Sequence, residues 1–495
     1  MATVGTPAPA DPGSDRGFFG HPRALATLFA TELWERFSYY GMRAILVLYL
    51  VASPANGGWG WSDGDATALY GVYTGMAYLT PLAGGWVADR VLGPRRSVLW
   101  GGVVIACGHY CLAIPAKPTF FLGLVLIVLG TGLLKPNISA MVGDLYGQDD
   151  PRRDAGFSLF YMGINLGAFI APLVTGFLSQ KQDWHLAFGA AGVGMTIAVV
   201  WYVAGRGALG ELGRHAVKPL ASHETRRVLR AVGLAVVGVA VVVGVLALLG
   251  WLTVNVVLGI LTFVPIAIAV AYFARMFADP GVTDVERSRL KAYIWLFVFA
   301  ACFWLIYDQA GSVLNLFAEN STDLDVPVLG EIAASTLQAV NPIFIIIGSP
   351  IAGVVWLRLG HRLATPTKFA LGLIFNGLSY IVMMFAALAA VGGEKVSPLW
   401  LVAAYAVQVT GELCLSPVGL STTTKLAPAG YTAQMLGLWF LATAVGDAIG
   451  GQVGRLADVI EQWQYFAILG GASVLLGAAA IAMVKNLRRL MAGIH

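Results

Sequence analysis

Long apolar stretches separated by short polar joints dominate this chain. A helix needs about 20 mostly apolar residues to cross a bilayer. Such runs lie at 24–52, 66–88, 97–115, 119–143, 155–178, 185–204, 229–249, 251–274, 290–317, 332–356, 367–392, 398–424, 432–454 and 464–485. The pattern predicts fourteen crossings and an all-α membrane protein. Residues 1–20 are rich in Pro, Gly and Ala, carry Asp11 and Asp15, and read as a disordered cytoplasmic tail. The apolar run after them is longer than a signal h-region and lacks a small-residue cleavage site, so the first helix is expected to stay in the mature protein.

Composition agrees with the pattern. The 495 residues are 58% hydrophobic and 12% charged, with mean hydropathy +0.74. A soluble globule is about a quarter charged, so most of this surface must face lipid. Cys107, Cys111, Cys302 and Cys414 all fall in apolar stretches and read as small hydrophobes, not as metal or disulfide chemistry. The position of the 31 Lys and Arg residues sets the orientation. With both termini cytoplasmic, 24 lie in inner segments and 4 (Lys117, Lys181, Lys395, Arg455) in outer ones. The other 3, Arg36, Arg43 and Lys135, sit inside helices.

A weak echo divides the chain. Leu-Gly-Pro-Arg at 92–95 follows the second run, and Leu-Gly-His-Arg at 359–362 follows the tenth. If the seventh and eighth runs are an insert, both tetrapeptides close the second helix of a six-helix half. The expected order is a tail (1–20), an N-terminal bundle (21–205), a linker (206–228), an extra hairpin (229–275), a second linker (276–289) and a C-terminal bundle (290–490). Two such halves imply a major facilitator fold, with a site near the midplane. Gly85-x-x-x-Asp89-Arg90-x-x-Gly93-x-Arg95-Arg96 resembles the cytoplasmic loop signature of that superfamily. Asp89, Arg90 and Arg95 are expected to act as a charged clamp in cytoplasmic gating.

Charges inside the membrane cost roughly 2.5–3.5 kcal/mol each on insertion scales and mark function by default. The first helix places Glu32, Glu35, Arg36, Tyr39 and Arg43 on one face, spaced by threes and fours. The alternative reading is a buried ion pair that only pins helices, although such pairs seldom improve stability over apolar packing.

Glu32-Leu-Trp-Glu35-Arg36-Phe37-Ser-Tyr39-Tyr40-Gly41 resembles the signature of the proton-dependent oligopeptide transporter family. The segments around Tyr78 to Pro81, Gly132 to Asn137, Phe160 to Gly167 and Gly411 to Gly419 are similar to that family too, over essentially the whole chain. The extra pair at 229–274 is similar to two added helices of its bacterial members. Two departures stand out. Asp308 occupies a position where the family usually has Glu. Tyr70-Gly71-Val72 lacks the His of animal relatives, and His109 in the third run reads as a hydrogen-bonded core residue.

The resemblance implies a proton-coupled symporter that imports di- and tripeptides, with protons, peptides and the lipid bilayer as partners. It implies no cofactor, metal, catalytic residue or nucleic acid, and a functional monomer. Proton coupling would rest on Glu32, Glu35, Arg36, Lys135 and Asp308, with Asp308 opposing Lys135. A peptide is a zwitterion. Arg36, Arg43 and Lys135 suit its carboxylate, and Glu412 suits its ammonium. Asn165 and Asn341 would hold termini or a peptide amide, or else make interhelical hydrogen bonds. Asn341-Pro342 would also free a backbone carbonyl. Tyr39, Tyr40, Tyr78, Trp304, Ser416, Trp439 and Phe440 complete the expected pocket. The competing functions are a carrier of nitrate or a drug-like solute, and a proton/drug antiporter. Glu412 would repel an anion.

Overall fold

The computed structural model describes residues 17–147, 150–180, 183–327, 330–359 and 363–494. Most of the expected tail, and the last three residues of Leu-Gly-His-Arg at 359–362, lie outside them. The described helices are α1 (Arg23–Val51), α2 (Asp63–Leu79), α3 (Pro81–Val87), α4 (Pro94–Leu112), α5 (Lys117–Asp144), α6 (Arg153–Gln180), α7 (Trp184–Gly205) and α8 (Ser222–Leu248). They continue as α9 (Val254–Ala278), α10 (Asp284–Tyr307), α11 (Val313–Ser321), α12 (Val340–Leu359), α13 (Thr365–Ala389), α14 (Leu399–Leu426), α15 (Thr432–Gly454) and α16 (Gln462–Leu490).

These sixteen helices make the fourteen expected crossings, because two crossings are broken. The second breaks at Thr80-Pro81, where Pro81 opens α3. The ninth breaks after Tyr307, where a 3-10 turn at Asp308–Gly311 separates α10 from α11. Buried groups hold that turn: the Gln309 side-chain oxygen accepts from Tyr380 Oη at 3.0 Å and Tyr465 Oη at 2.7 Å. The one sheet among the described residues is a two-residue antiparallel pair, β1 (Asp325–Val326) with β2 (Gly330–Glu331), in an outer loop.

Eleven helical segments are long and apolar enough to cross a membrane unaided. The first three crossings are not among them. α1 carries five charged residues, α2 ends after 17 residues at the Pro81 break, and α4 is 19 residues long and begins Pro-Arg-Arg.

The chain divides into two compact units. One comprises the segment ending at Tyr40, Thr80–Ala171 and Phe188–Leu220; the other comprises Gly41–Leu79, Pro172–Ala187 and the residues from Ala221 onward. In the first, α4 packs along α5, and α3 joins them. A Cβ at Gly84 of α3 would stand 1.8 Å from the Gly132 carbonyl oxygen of α5, so only glycine permits this backbone approach. In the second unit α13 packs between α14 and α16, and α15 packs on α2 and α10.

The extra pair, expected as a hairpin, consists of two helices with different surroundings. α9 packs on α2 and α15, with Gln452 donating to Thr262 Oγ1 at 3.0 Å and Arg455 to Asn255 Oδ1 at 3.0 Å. Asn255, in the first turn of α9, thus makes an end contact. The apolar window of α8 is exposed throughout.

Candidate functional site

In the first unit α1 turns its acidic face inward. Glu32, Glu35 and Arg36 are each at most 3% exposed. Arg36 Nη2 donates to Glu35 Oε1 at 2.7 Å, its Nε donates to Glu35 Oε2, and Nε lies 3.2 Å from Glu32 Oε1. One guanidinium therefore faces two carboxylates. Glu32 Oε2 is buried without a hydrogen bond among the described residues. The Arg36 guanidinium also stands 5.1 Å from the Tyr39 ring centre, and Tyr39 meets Tyr40 edge-on. Lys135 on α5, next to Pro136, lies within electrostatic reach of Glu32. Asn165 on α6 is buried but donates to Tyr161 O at 2.9 Å within its own helix, so neither role proposed for its amide is visible.

The expected cytoplasmic clamp is built differently. Asp89 has an exposed side chain, and its contribution is a carbonyl that accepts from Lys218 N at 2.9 Å. Arg95 donates to the carbonyls of Arg206 and Gly210, at 2.7 and 2.8 Å. Arg90 is half-buried, and its carbonyl accepts from Leu220 N at 3.1 Å. The loop thus holds the chain after α7 through backbone groups. Asp89 and Arg90 sit in a π-helical turn, Ala88–Leu92.

In the second unit Arg43, near the middle of α1, donates to Asp308 Oδ1 at 2.9 Å and Asp308 O at 3.2 Å, and its Nε donates to the Tyr70 hydroxyl. Tyr70 Oη donates to Asp308 O at 3.0 Å. The partner the fold gives Asp308 is therefore Arg43, where the sequence reading had Lys135. The 3-10 break explains this: Asp308 caps the end of α10, so its side chain and carbonyl both face Arg43 and Tyr70.

A second polar chain joins three helices. Asn341 Nδ2 on α12 donates to Tyr307 Oη on α10 at 2.9 Å, and Tyr307 Oη donates to Glu412 Oε2 on α14. Asn341-Pro342 lies in the first turn of α12 after a 3-10 turn, so Pro342 breaks no helix, contrary to the expectation of a freed carbonyl. In α14 the interior proline is Pro417, and Trp356 Nε1 donates to the carbonyl of Leu413 at 3.3 Å. Trp304 meets Tyr307 edge-on with its indole nitrogen buried and unpartnered among the described residues. Ser416 and Tyr78 are half-buried. Trp439 packs against Gly419 and Phe369 as core, whereas Phe440 is 40% exposed.

Sequence reasoning missed Tyr70, Tyr307, Gln309 and Asp447. The tyrosines were hidden among 17 in the chain. Asp447 was the legible one, an acid in the apolar run 432–454. His109 is buried as expected, but neither ring nitrogen has a hydrogen-bond partner among the described residues. The cysteines are free, with Cys107 exposed and Cys414 buried.

Comparison with known proteins supports this architecture. The POT family model matches residues 95–468. A relative from Bacillus subtilis (strain 168), described as an uncharacterized transporter, is 45% identical, covering 97% of each chain. A di-/tripeptide transporter of Lactococcus lactis subsp. lactis (strain IL1403) is 41% identical, covering 97% of this chain and 99% of its own. A crystal structure of a peptide transporter POT in complex with sulfate superposes with a TM-score of 0.92 at 46% identity, covering 97% of this chain and 98% of that one. The fold, the α1 signature and these matches agree: the chain belongs to the POT family.

Proposed function

We propose that this protein imports di- and tripeptides across the cytoplasmic membrane as a proton-coupled symporter, by alternating access and as a monomer. It is a multi-pass transporter and not an enzyme. The observation that carries the coupling is the triad on α1, with Arg36 bound by Glu32 and Glu35. A proton added to either acid leaves the guanidinium with one carboxylate, and its remaining donors become available to a peptide carboxylate. The Glu412 carboxylate, oriented by Tyr307 and Asn341, receives the peptide ammonium. An anion carrier has no use for an acid at that position.

The test is reconstitution in proteoliposomes. Counterflow of labelled dialanine, with accumulation when a proton gradient is imposed, is expected. Counterflow without any response to the gradient would leave peptide exchange but remove the symport. Absence of counterflow with dialanine and trialanine would contradict the import reading.

A further inference from the structure

Asp447 lies near the middle of α15, where α15 and α2 come together at glycines. A Cβ at Gly71 would stand 2.4 Å from Asp447 O and 2.5 Å from Gly451 Cα. Asp447 lines a small cavity there together with Tyr70, Thr74, Asp308, Gln309 and Ser312. Its volume is about 10 Å³, near the least that holds one water. Asp447 is 3% exposed and Asp308 6%. Both Asp447 carboxyl oxygens and Asp308 Oδ2 lack hydrogen-bond partners among the described residues, while Asp308 Oδ1 takes Arg43.

The one donor facing the Asp447 carboxyl is the Thr74 hydroxyl, which the backbone already engages. Thr74 Oγ1 donates to Tyr70 O and Gly71 O, and the Tyr70 hydroxyl to Asp308 O. Gln309 spends its amide on Leu305 O and its oxygen on two tyrosines. Among the described residues α9 and α14 put no charged group on the cavity. Arg43 from α1, Asp308 after α10 and Tyr70 from α2 are the titratable or charged groups that face Asp447. One cation thus stands against two buried carboxyls. An uncompensated buried charge is avoided by neutralisation. A protonated carboxyl is a donor, and the facing Asp308 Oδ2 is the vacant acceptor.

We infer that Asp308 and Asp447 share one proton in a buried carboxyl pair, and that Asp447 is a proton-binding residue of the transport cycle. This rests on the proton-coupled reading above. The arrangement differs from the α1 triad because here the proton bridges two acids while Arg43 anchors one of them. Loss of the proton would leave two anions competing for Arg43, which would repel Asp447 and pull α15 from its seat on α2 and α10.

The experiment compares the native chain with Asp447→Asn, neutral and of the same shape, and with Asp447→Ser, smaller and neutral. Melting temperature is followed against pH in detergent, and dialanine counterflow and gradient-driven accumulation in liposomes. A folded chain that keeps a proton its unfolded form releases loses stability as pH rises. Both variants are expected to lose that part of the slope, keep counterflow, and accumulate no more than the gradient-free control. Parallel melting curves, or variants that do not fold, would overturn the shared proton. A lost slope with native accumulation would overturn the role in the cycle. A native chain without counterflow would sink the import reading, yet the melting curves would still decide the shared proton.

Discussion

Glu412 illustrates how much a single side chain can commit. Its carboxylate already accepts from Tyr307, which in turn accepts from Asn341, so it is oriented before any ligand arrives. A charge-assisted hydrogen bond is worth about 1.5–3 kcal/mol. Glu412→Gln is therefore expected to weaken peptides with a free amino terminus roughly tenfold to a hundredfold, and to spare analogues lacking the amine. Competition of dialanine counterflow by the two ligand classes checks this; equal losses would show that Glu412 does not read the ammonium. Arg43 is a different case, since its pairing with Asp308 is buried. Arg43→Gln strands Asp308, and breaking such a pair from one side costs about 3–5 kcal/mol. A matching fall in thermal stability is expected, partly recovered when Asp308→Asn is added; no recovery would mean the two do not act as a pair. At this scale the sequence was informative about types and less so about partners. Intramembrane charges announced themselves, but the 3-10 turn that gives Asp308 to Arg43 has no marker beyond Gly311.

Among elements, the inserted pair makes an asymmetric claim. α9 is joined to α15 by Gln452 and Arg455, whereas α8 lies exposed. Removing 229–274 with a compatible linker is expected to lower expression and thermal stability, because α2 and α15 lose a neighbour, while dialanine counterflow survives in the folded fraction. Loss of counterflow from a folded deletion protein would contradict this. The link from α9 to α10 gives a pH test. Asp279 accepts from Tyr431 Oη at 2.5 Å and from Gly281 N at 2.8 Å. The Tyr431 hydrogen bond, with the Gly281 one behind it, holds the Asp279 carboxyl below its ordinary value. Its contribution is thus present above the ordinary carboxylate value of about 3.9 and is lost as pH falls through the lowered one. Tyr431→Phe is expected to melt below the native chain at neutral pH, with the gap closing on acidification; a gap unchanged with pH would point to packing alone. The fourteen runs were legible because spanning helices must be apolar over a fixed length. The breaks were less so, since Pro81 gives a signal and Tyr307-Asp308 does not.

On the scale of the whole molecule, the chain concentrates its charge where insertion is hardest. The first crossings fall short of the apolarity that the later ones have, and α1 alone carries Glu32, Glu35, Arg36 and Arg43. That cost is explained if the helix handles protons and substrate in every cycle, and not if it merely pins the fold. Counterflow exchanges peptide without net proton movement, whereas uphill uptake releases a proton each time, so the two assays in one liposome preparation separate binding from coupling. Glu32→Gln and Glu35→Gln keep shape and remove a titrating acid. With melting temperature as the folding control, both variants are expected to retain at least part of dialanine counterflow and to lose accumulation driven by a proton gradient. If both still accumulate dialanine to the native level when the gradient is imposed, the α1 acids do not carry the coupling proton.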